Sequence, residues 1–259
     1  MLLIIAGALT GFAVGLTGVG GGSLMTPLLL LIFGVAPTTA VGTDLWFAAL
    51  TKIVASPLHH SAGLIDWKVV RRLWLGSLPG SLIMVLLLKF GILSLTPAYL
   101  QIGLAAAVAL TSIGLVFQNH LHDLGKKLRL HEAEHFKAIQ PGLTVLAGLC
   151  LGILVTSTSV GAGALGTVLL TYLYPLRLTP ARLVATDIVH AIPLAIFAGM
   201  GHLFIGNVDF VLLGWLLLGS IPAVWVGAHV SMRLSHTVLR WALAIILALV
   251  ALKLSWNSL

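Results

Sequence analysis

Apolar runs too long and too numerous to hide inside a water-soluble globule govern what this chain can fold into. In order they are Leu2–Thr17 followed by Ser23–Phe33, then Thr38–Leu58, Val69–Phe90 and Ala98–Gln118. After a polar segment come Gly142–Val155 followed by Ala164–Tyr174, then Pro180–Gly201, Phe210–Val230 and Thr237–Trp256. About 20 apolar residues in a helix cross the ~30 Å hydrocarbon core of a bilayer. With 59% hydrophobic and 8% charged residues and a mean hydropathy of +1.11, there is too little polar surface to cover so much apolar area. Lipid has to be the solvent, and the expected fold is an all-α, polytopic membrane bundle. The opening MLLIIAGALTG reads as membrane sequence rather than a cleavable signal, because it lacks a basic n-region. The single cysteine, Cys150, reads as a small packing residue.

The order of lengths repeats: a broken unit and then three full ones, twice, about eight hydrophobic units in all. A shift of 143 lays Pro37–Pro79 on Pro180–Pro222 with 15 of 43 positions identical. The identities include Thr43-Asp44 with Thr186-Asp187, His59 with His202, and Gly63-x-x-Asp66 with Gly206-x-x-Asp209. Gly76-Ser77-x-Pro79 matches Gly219-Ser220-x-Pro222 in the same way. Such matches do not come from leucine-rich composition alone, and they mark a tandem duplication of the kind transporters are built from. The expected division is a first transmembrane repeat over 1–118, a linker over 119–140 and a second repeat over 141–259.

Each repeat opens on a unit interrupted by small residues, Gly18–Gly22 in the first and Thr156–Gly163 in the second. Such a unit either crosses once or returns as a hairpin. The positive-inside rule chooses between the two. If both units cross, Lys and Arg divide 8 against 5 across the membrane. If both return, Lys68, Arg71, Arg72, Lys126, Lys127, Arg129, Lys137, Arg177, Arg182, Arg233 and Arg240 share one side, against Lys89 and Lys253. The returning model leaves an odd number of crossings per half. It therefore predicts inverted repeats, a cytoplasmic linker and both termini outside. The expected location is the cell membrane, multi-pass, of the bacterial inner-membrane kind.

Irregular backbone survives at membrane depth only where protein or a watery cavity covers it. Two symmetric breaks therefore predict a site between them. Gly20, Gly21, Gly22 and Ser23 open one half-helix, and Gly161 and Gly163 open the other. Helix N-termini suit an anion, and the hydroxyls of Thr156, Ser157, Thr158 and Ser159 offer further donors. Lys52 sits well inside an apolar run, as an anion ligand or as a partner to Asp44 two turns earlier. Asp44, Asp187 and His190 are the ionisable candidates for coupling to protons. His59 and His202 read as interfacial or structural, Asp66 and Asp209 as helix caps, and the Gly-Ser-x-Pro segments as packing notches. Trp67, Trp74, Trp241 and Trp256 read as interfacial anchors.

His131-Glu132-Ala133-Glu134-His135 matches the H-E-x-x-H zinc signature. The motif sits in a short charged linker with no further glutamate for a third ligand. It reads as part of an amphipathic linker on the anionic leaflet, and neither a metal nor a cofactor is expected.

The Gly18–Ser23 run followed by Pro27, the Val41-Gly42-Thr43-Asp44-Leu45 stretch after Pro37, and their counterparts Val160–Gly163 and Val184-Ala185-Thr186-Asp187-Ile188 resemble the sulfite exporter TauE/SafE family. The likeness runs from Gly7 to about Leu252. It implies a permease for small anions, with sulfite and organosulfonates as substrates. The expected function is therefore a secondary transporter with alternating access between two broken helices, not an enzyme. Its partners would be a small inorganic or organic anion and membrane lipids, with no nucleic acid and with homo-oligomerisation left open. The competing readings are an intramembrane hydrolase and a passive anion channel. The hydrolase would be the zinc type of His131, Glu132 and His135, or a Ser/His type built from Ser157 or Ser159 with His190.

Overall fold

The structure is a computed structural model that describes residues 1–17, 22–59, 63–92, 97–131, 133–161, 163–231 and 236–257. Among the described residues it is all helix: α1 (Leu2–Thr17), α2 (Gly22–Leu31), α3 (Pro37–His59), α4 (Trp67–Lys89), α5 (Pro97–Val116), α6 (Gln118–His131), α7 (Ala133–Thr158), α8 (Ala164–Leu173), α9 (Pro180–Ile205), α10 (Phe210–Ser231) and α11 (His236–Asn257). Six of them (α4, α5, α7, α9, α10 and α11) contain stretches long and apolar enough to cross a membrane. The 10 residues of α2 and of α8 extend only ~15 Å at 1.5 Å per residue, about half a bilayer.

The helix contacts fix the relative directions of the elements. A Cβ on Gly7, Gly11 or Gly15 of α1 would strike the backbone of Leu216, Ser220 or Val224 of α10, so the two helices run parallel. Likewise Gly76 and Gly80 of α4 abut Val145 and Leu149 of α7, and Gly148 and Gly152 abut Leu73 and Ser77. α3 and α9 run the other way to each other: Gly42 lies against His202 and Asn207, Gly199 against Trp46, and Lys52 reaches Asp187. α4 follows α9 in direction, with Trp74 at His190 and Val85 at Gly201.

The broken units reverse direction. α1 runs with α3, since Ala6 packs in the cluster of Ala40 and Phe47 while Val14 packs on Ala55. α2 runs against α3, with Thr26 on Asp44. The pairings repeat when the halves are exchanged: α1 on α10 mirrors α7 on α4, and α3 meets α9 as α5 meets α11.

The loops carry the same exchange. The Asp66 N–H donates to Thr186 Oγ1 at 3.1 Å, and the Asp209 N–H donates to Thr43 Oγ1 at 3.0 Å. The threonine of each Thr-Asp pair thus anchors the cap of the other half. Both caps behave as the sequence suggests, Asp66 accepting from Val69 N–H and Asp209 from the N–H groups of Val211 and Leu212. Asp66 also pairs with Arg177 and lies 4.0 Å from Arg182. Burial pushes its carboxyl pKa up, but the Arg177 hydrogen bond, the Val69 N–H and the charges of Arg177 and Arg182 outweigh this and hold it below the ordinary carboxylate value. The loop before α4 and the loop between α8 and α9 therefore share one end of the bundle. A broken unit that crossed once would have put them at opposite ends.

The segment between the halves is helical. Gly125 of α6 packs directly on Tyr172 and Pro175 at the end of α8, and Gln118 Nε2 donates to Thr171 Oγ1 at 3.1 Å. Cys150 is exposed on α7 rather than packed, because the small face of that helix is turned to α4.

The glycine seams are where close approach is indispensable. In lipid there is no hydrophobic drive between helices, and small residues let two backbones touch. Gly152→Leu is expected to destabilise the protein by about 2–3 kcal/mol, because backbone of Ser77 stands where the new side chain starts. Denaturation in detergent measures this, with Gly103→Leu as control, since nothing lies within 4 Å of a Cβ there.

Candidate functional site

α3 carries two buried charges, Asp44 and Lys52. Asp44 and Lys52 are eight residues apart, ~12 Å along the helix, so they serve two different places. Asp44 is fully buried against α2. Its Oδ2 accepts from the Thr26 hydroxyl and, at 3.2 Å, from the Thr26 N–H. Its Oδ1 has no hydrogen-bond partner among the described residues. The Ser159 hydroxyl, also unpartnered there, lies beside the carboxylate but outside hydrogen-bonding geometry. Ser159 follows the last residue of α7, so the break of the second unit reaches the aspartate of the first half.

Lys52 pairs with Asp187, not with Asp44. The antiparallel run of α9 brings Asp187 to it, with Nζ 3.9 Å from Oδ2 and both side chains 1% exposed. At that distance the two are in charge contact but longer than a hydrogen bond. Neither carboxylate oxygen of Asp187 has a hydrogen-bond partner among the described residues. Asp187 Oδ1 instead abuts the backbone of Gly166, where any side chain would collide with it. His190, one turn on, is buried and within electrostatic reach of Lys52. Its Nε2 lies 3.0 Å from Ser77 Oγ, while Nδ1 is unpartnered among the described residues. The Trp74 indole donates to the His190 carbonyl at 3.1 Å, which makes Trp74 a brace of this site rather than an interfacial anchor.

The second break is shaped by backbone conformation. Ser159, Gly161 and Gly163 all take positive φ, 59°, 116° and 149°. For glycine this region is accessible at little cost, whereas Ser159 is an unusual occupant. Of the hydroxyls around it, only Ser159 turns inward to a charged group. Thr156 donates to Ser81 Oγ at 2.7 Å and lies in the α4–α7 seam. Ser157 bonds back to Ile153 and Leu154 of its own helix and is partly exposed. Thr158 bonds Leu154 and Val160 within the turn. His190 pairs with Ser77 and not with Ser157 or Ser159, so the Ser/His pair of a hydrolase is not assembled. His202 is buried and donates from Nε2 to the Thr156 carbonyl at 2.8 Å, a structural bond.

In the first break, Gly22 and Ser23 begin α2, and the buried Ser23 hydroxyl is unpartnered among the described residues. Gly20 and Gly21 lie outside the described residues, as does Glu132 of the H-E-x-x-H sequence. Among the described residues no three His, Cys, Asp or Glu side chains are grouped to hold a metal.

Sequence reasoning missed Thr26, Ser77 and Gly166. Ser77 was visible as part of a repeated Gly-Ser-x-Pro segment, but its partner across the fold was not. Gly166 gave no signal, because its importance comes from a carboxylate 21 residues away.

The chain is similar along its length to proteins of one kind. It is 38% identical to the probable membrane transporter protein YjnA of Bacillus subtilis (strain 168), covering 97% of this chain and 98% of that one. The probable membrane transporter protein YdhB of the same organism is 29% identical over 98% and 99% of the two chains. A probable membrane transporter protein of Haemophilus influenzae is 25% identical over 83% of this chain and 75% of its own. No solved structure matches. The family model for the sulfite exporter TauE/SafE family matches residues 3–254, and this multi-pass membrane protein, with Asp44, Lys52 and Asp187 buried among its helices, belongs to that family of transporters.

Proposed function

We propose that the chain is a secondary transporter of small anions, of the sulfite or organosulfonate type, with the anion bound at Lys52. The observation that carries this reading is a buried ammonium in charge contact, at 3.9 Å, with a carboxylate that has no hydrogen-bond partner among the described residues. A proton on Asp187 would remove the negative charge facing Lys52 and favour an anion there, and loss of that proton would restore the charge and expel the anion. Transport coupled to protons follows from that exchange, with Asp44 as the equivalent carboxylate nearer the opposite end of the bundle. The sulfur chemistry rests on the family's description; the preference for an anion rests on Lys52.

Opposed directions of α3 and α9, shared directions of α4 and α9, and the Asp66–Arg177 contact support two halves inverted in the membrane. The basic end that holds Arg177 would then face the cytoplasm and both termini the outside. Two broken units that run in opposite directions, with Thr26 of the first and Ser159 of the second both at Asp44, suit alternating access.

Purified protein in liposomes is expected to move radiolabelled sulfite or ethanesulfonate saturably, faster with an imposed pH gradient, and to ignore choline. Flux that fails to saturate would indicate a passive channel. No flux of any sulfur oxyanion, with carboxylates carried instead, would overturn the substrate class.

A further inference from the structure

We infer that the cavity at the Asp66–Arg177 end of the bundle is a binding vestibule for small oxyanions, with Arg240 as its principal ligand. It encloses about 330 Å³ and is lined by Gln118, Asn119, His122, Thr167, Thr171 and Arg240, among others, with no aspartate or glutamate among the described residues of its lining. Arg240 is oriented by a hydrogen bond from Nη1 to Asn119 Oδ1. Its Nε, though buried, has no partner among the described residues, and neither does His122 Nδ1. Gln118 and Thr171, also on the lining, are joined to each other at 3.1 Å. Leu183 and Val184 at the start of α9 and Leu239 at the start of α11 complete the lining, so two helix N-terminal turns add their positive ends. A cavity with one guanidinium, several neutral donors and no acidic side chain selects for negative charge. A guanidinium matches two oxygens of a sulfite or sulfonate group in one plane.

The floor of the cavity adjoins the buried pair. Thr167 follows Gly166, which touches Asp187, and Val184 precedes Asp187 by one turn. Thr17, the last residue of α1, forms another wall. An oxyanion held by Arg240 would therefore wait one step from Lys52. The use of the vestibule as an entry or exit station rests on the transport reading; its capacity to bind an oxyanion does not. It also gives the helical segment between the halves a role, because Gln118, Asn119 and His122 all belong to α6.

The test places a thiol in the cavity of the full-length protein in detergent, as Thr171→Cys in a Cys150→Ala background. Its reaction rates with the anionic sulfonatoethyl and the cationic trimethylammonioethyl methanethiosulfonates are compared with those of free cysteine. The anion-to-cation rate ratio is expected to exceed that of free cysteine about tenfold. It should collapse in Arg240→Gln and persist in Arg240→Lys, and ethanesulfonate should slow the anionic reagent only while the positive charge is present. A ratio equal to that of free cysteine, or one unmoved by Arg240→Gln, would overturn the vestibule. Thr237→Cys, also on the lining, provides the second position if the first variant is not monodisperse. A high ratio in a protein that carries no anion into liposomes would retain the vestibule and remove the transport reading. Saturable flux with an ordinary ratio would do the reverse.

Discussion

Lys52→Met is expected to abolish anion flux and to destabilise the protein by about 3–5 kcal/mol, the cost of leaving one partner of a buried ion pair uncompensated. The two effects have separate origins. Stability falls because Asp187, 1% exposed, loses the only charge facing it among the described residues. Flux falls because the ammonium is the proposed anion ligand. The double variant Lys52→Met/Asp187→Leu separates them, since replacing a buried pair by apolar residues of similar volume is often neutral or stabilising. It should unfold at a denaturant concentration near that of the parent while remaining inactive. If Lys52→Met is as stable as the parent, the pair does not hold the fold together. If the double variant transports, Lys52 does not hold the anion. Lys52→Arg is the conservative control: it keeps the charge, but its planar guanidinium meets a space shaped for an ammonium, so partial flux with a raised half-saturation concentration is expected.

Much of the architecture was legible before any coordinates, because the strongest forces acting on this chain are written in long stretches. Apolar length gives helices, and the repeat of Thr-Asp and Gly-Ser-x-Pro locates equivalent positions in the two halves. The 11-to-2 division of basic residues favours returning units. Pairing across the fold was less accessible. Spacing along α3 offers Asp44, two turns earlier, as the partner of Lys52 if it is not an anion ligand. The antiparallel meeting of α3 with α9 gives it to Asp187 instead. The Thr156–Ser159 cluster showed the same limit: four consecutive hydroxyls look alike in sequence, yet helix geometry turns them to four different surroundings and leaves only Ser159 at a charge. Nor did sequence distinguish the roles within Thr-Asp. The threonines hold the opposite half's cap, and the aspartates face the broken units.

Asp44→Asn is expected to keep the fold and lose the response of flux to a pH gradient. The carboxylate is held asymmetrically: Oδ2 takes both donors of Thr26, Oδ1 has none among the described residues, and Ser159 lies beside the group. A proton arriving on Oδ1 makes a hydroxyl that can donate to Ser159 Oγ, so protonation and the position of the second broken unit become one event. Asparagine reproduces that state permanently, since its amide oxygen can accept from Thr26 and its NH₂ stands where the protonated oxygen would. In liposomes the variant should still exchange labelled for unlabelled sulfite, because exchange needs no net proton movement, but an imposed pH gradient should no longer drive accumulation. Ser159→Ala is expected to fall between the two, with accumulation retained and turnover slowed, because it leaves the proton site intact and removes its contact to the hairpin. An Asp44→Asn protein that accumulates sulfite as the parent does would assign coupling to Asp187 alone. The second carboxylate would then be a structural bond to α2, and the symmetry between the two aspartates would be one of ancestry rather than of mechanism.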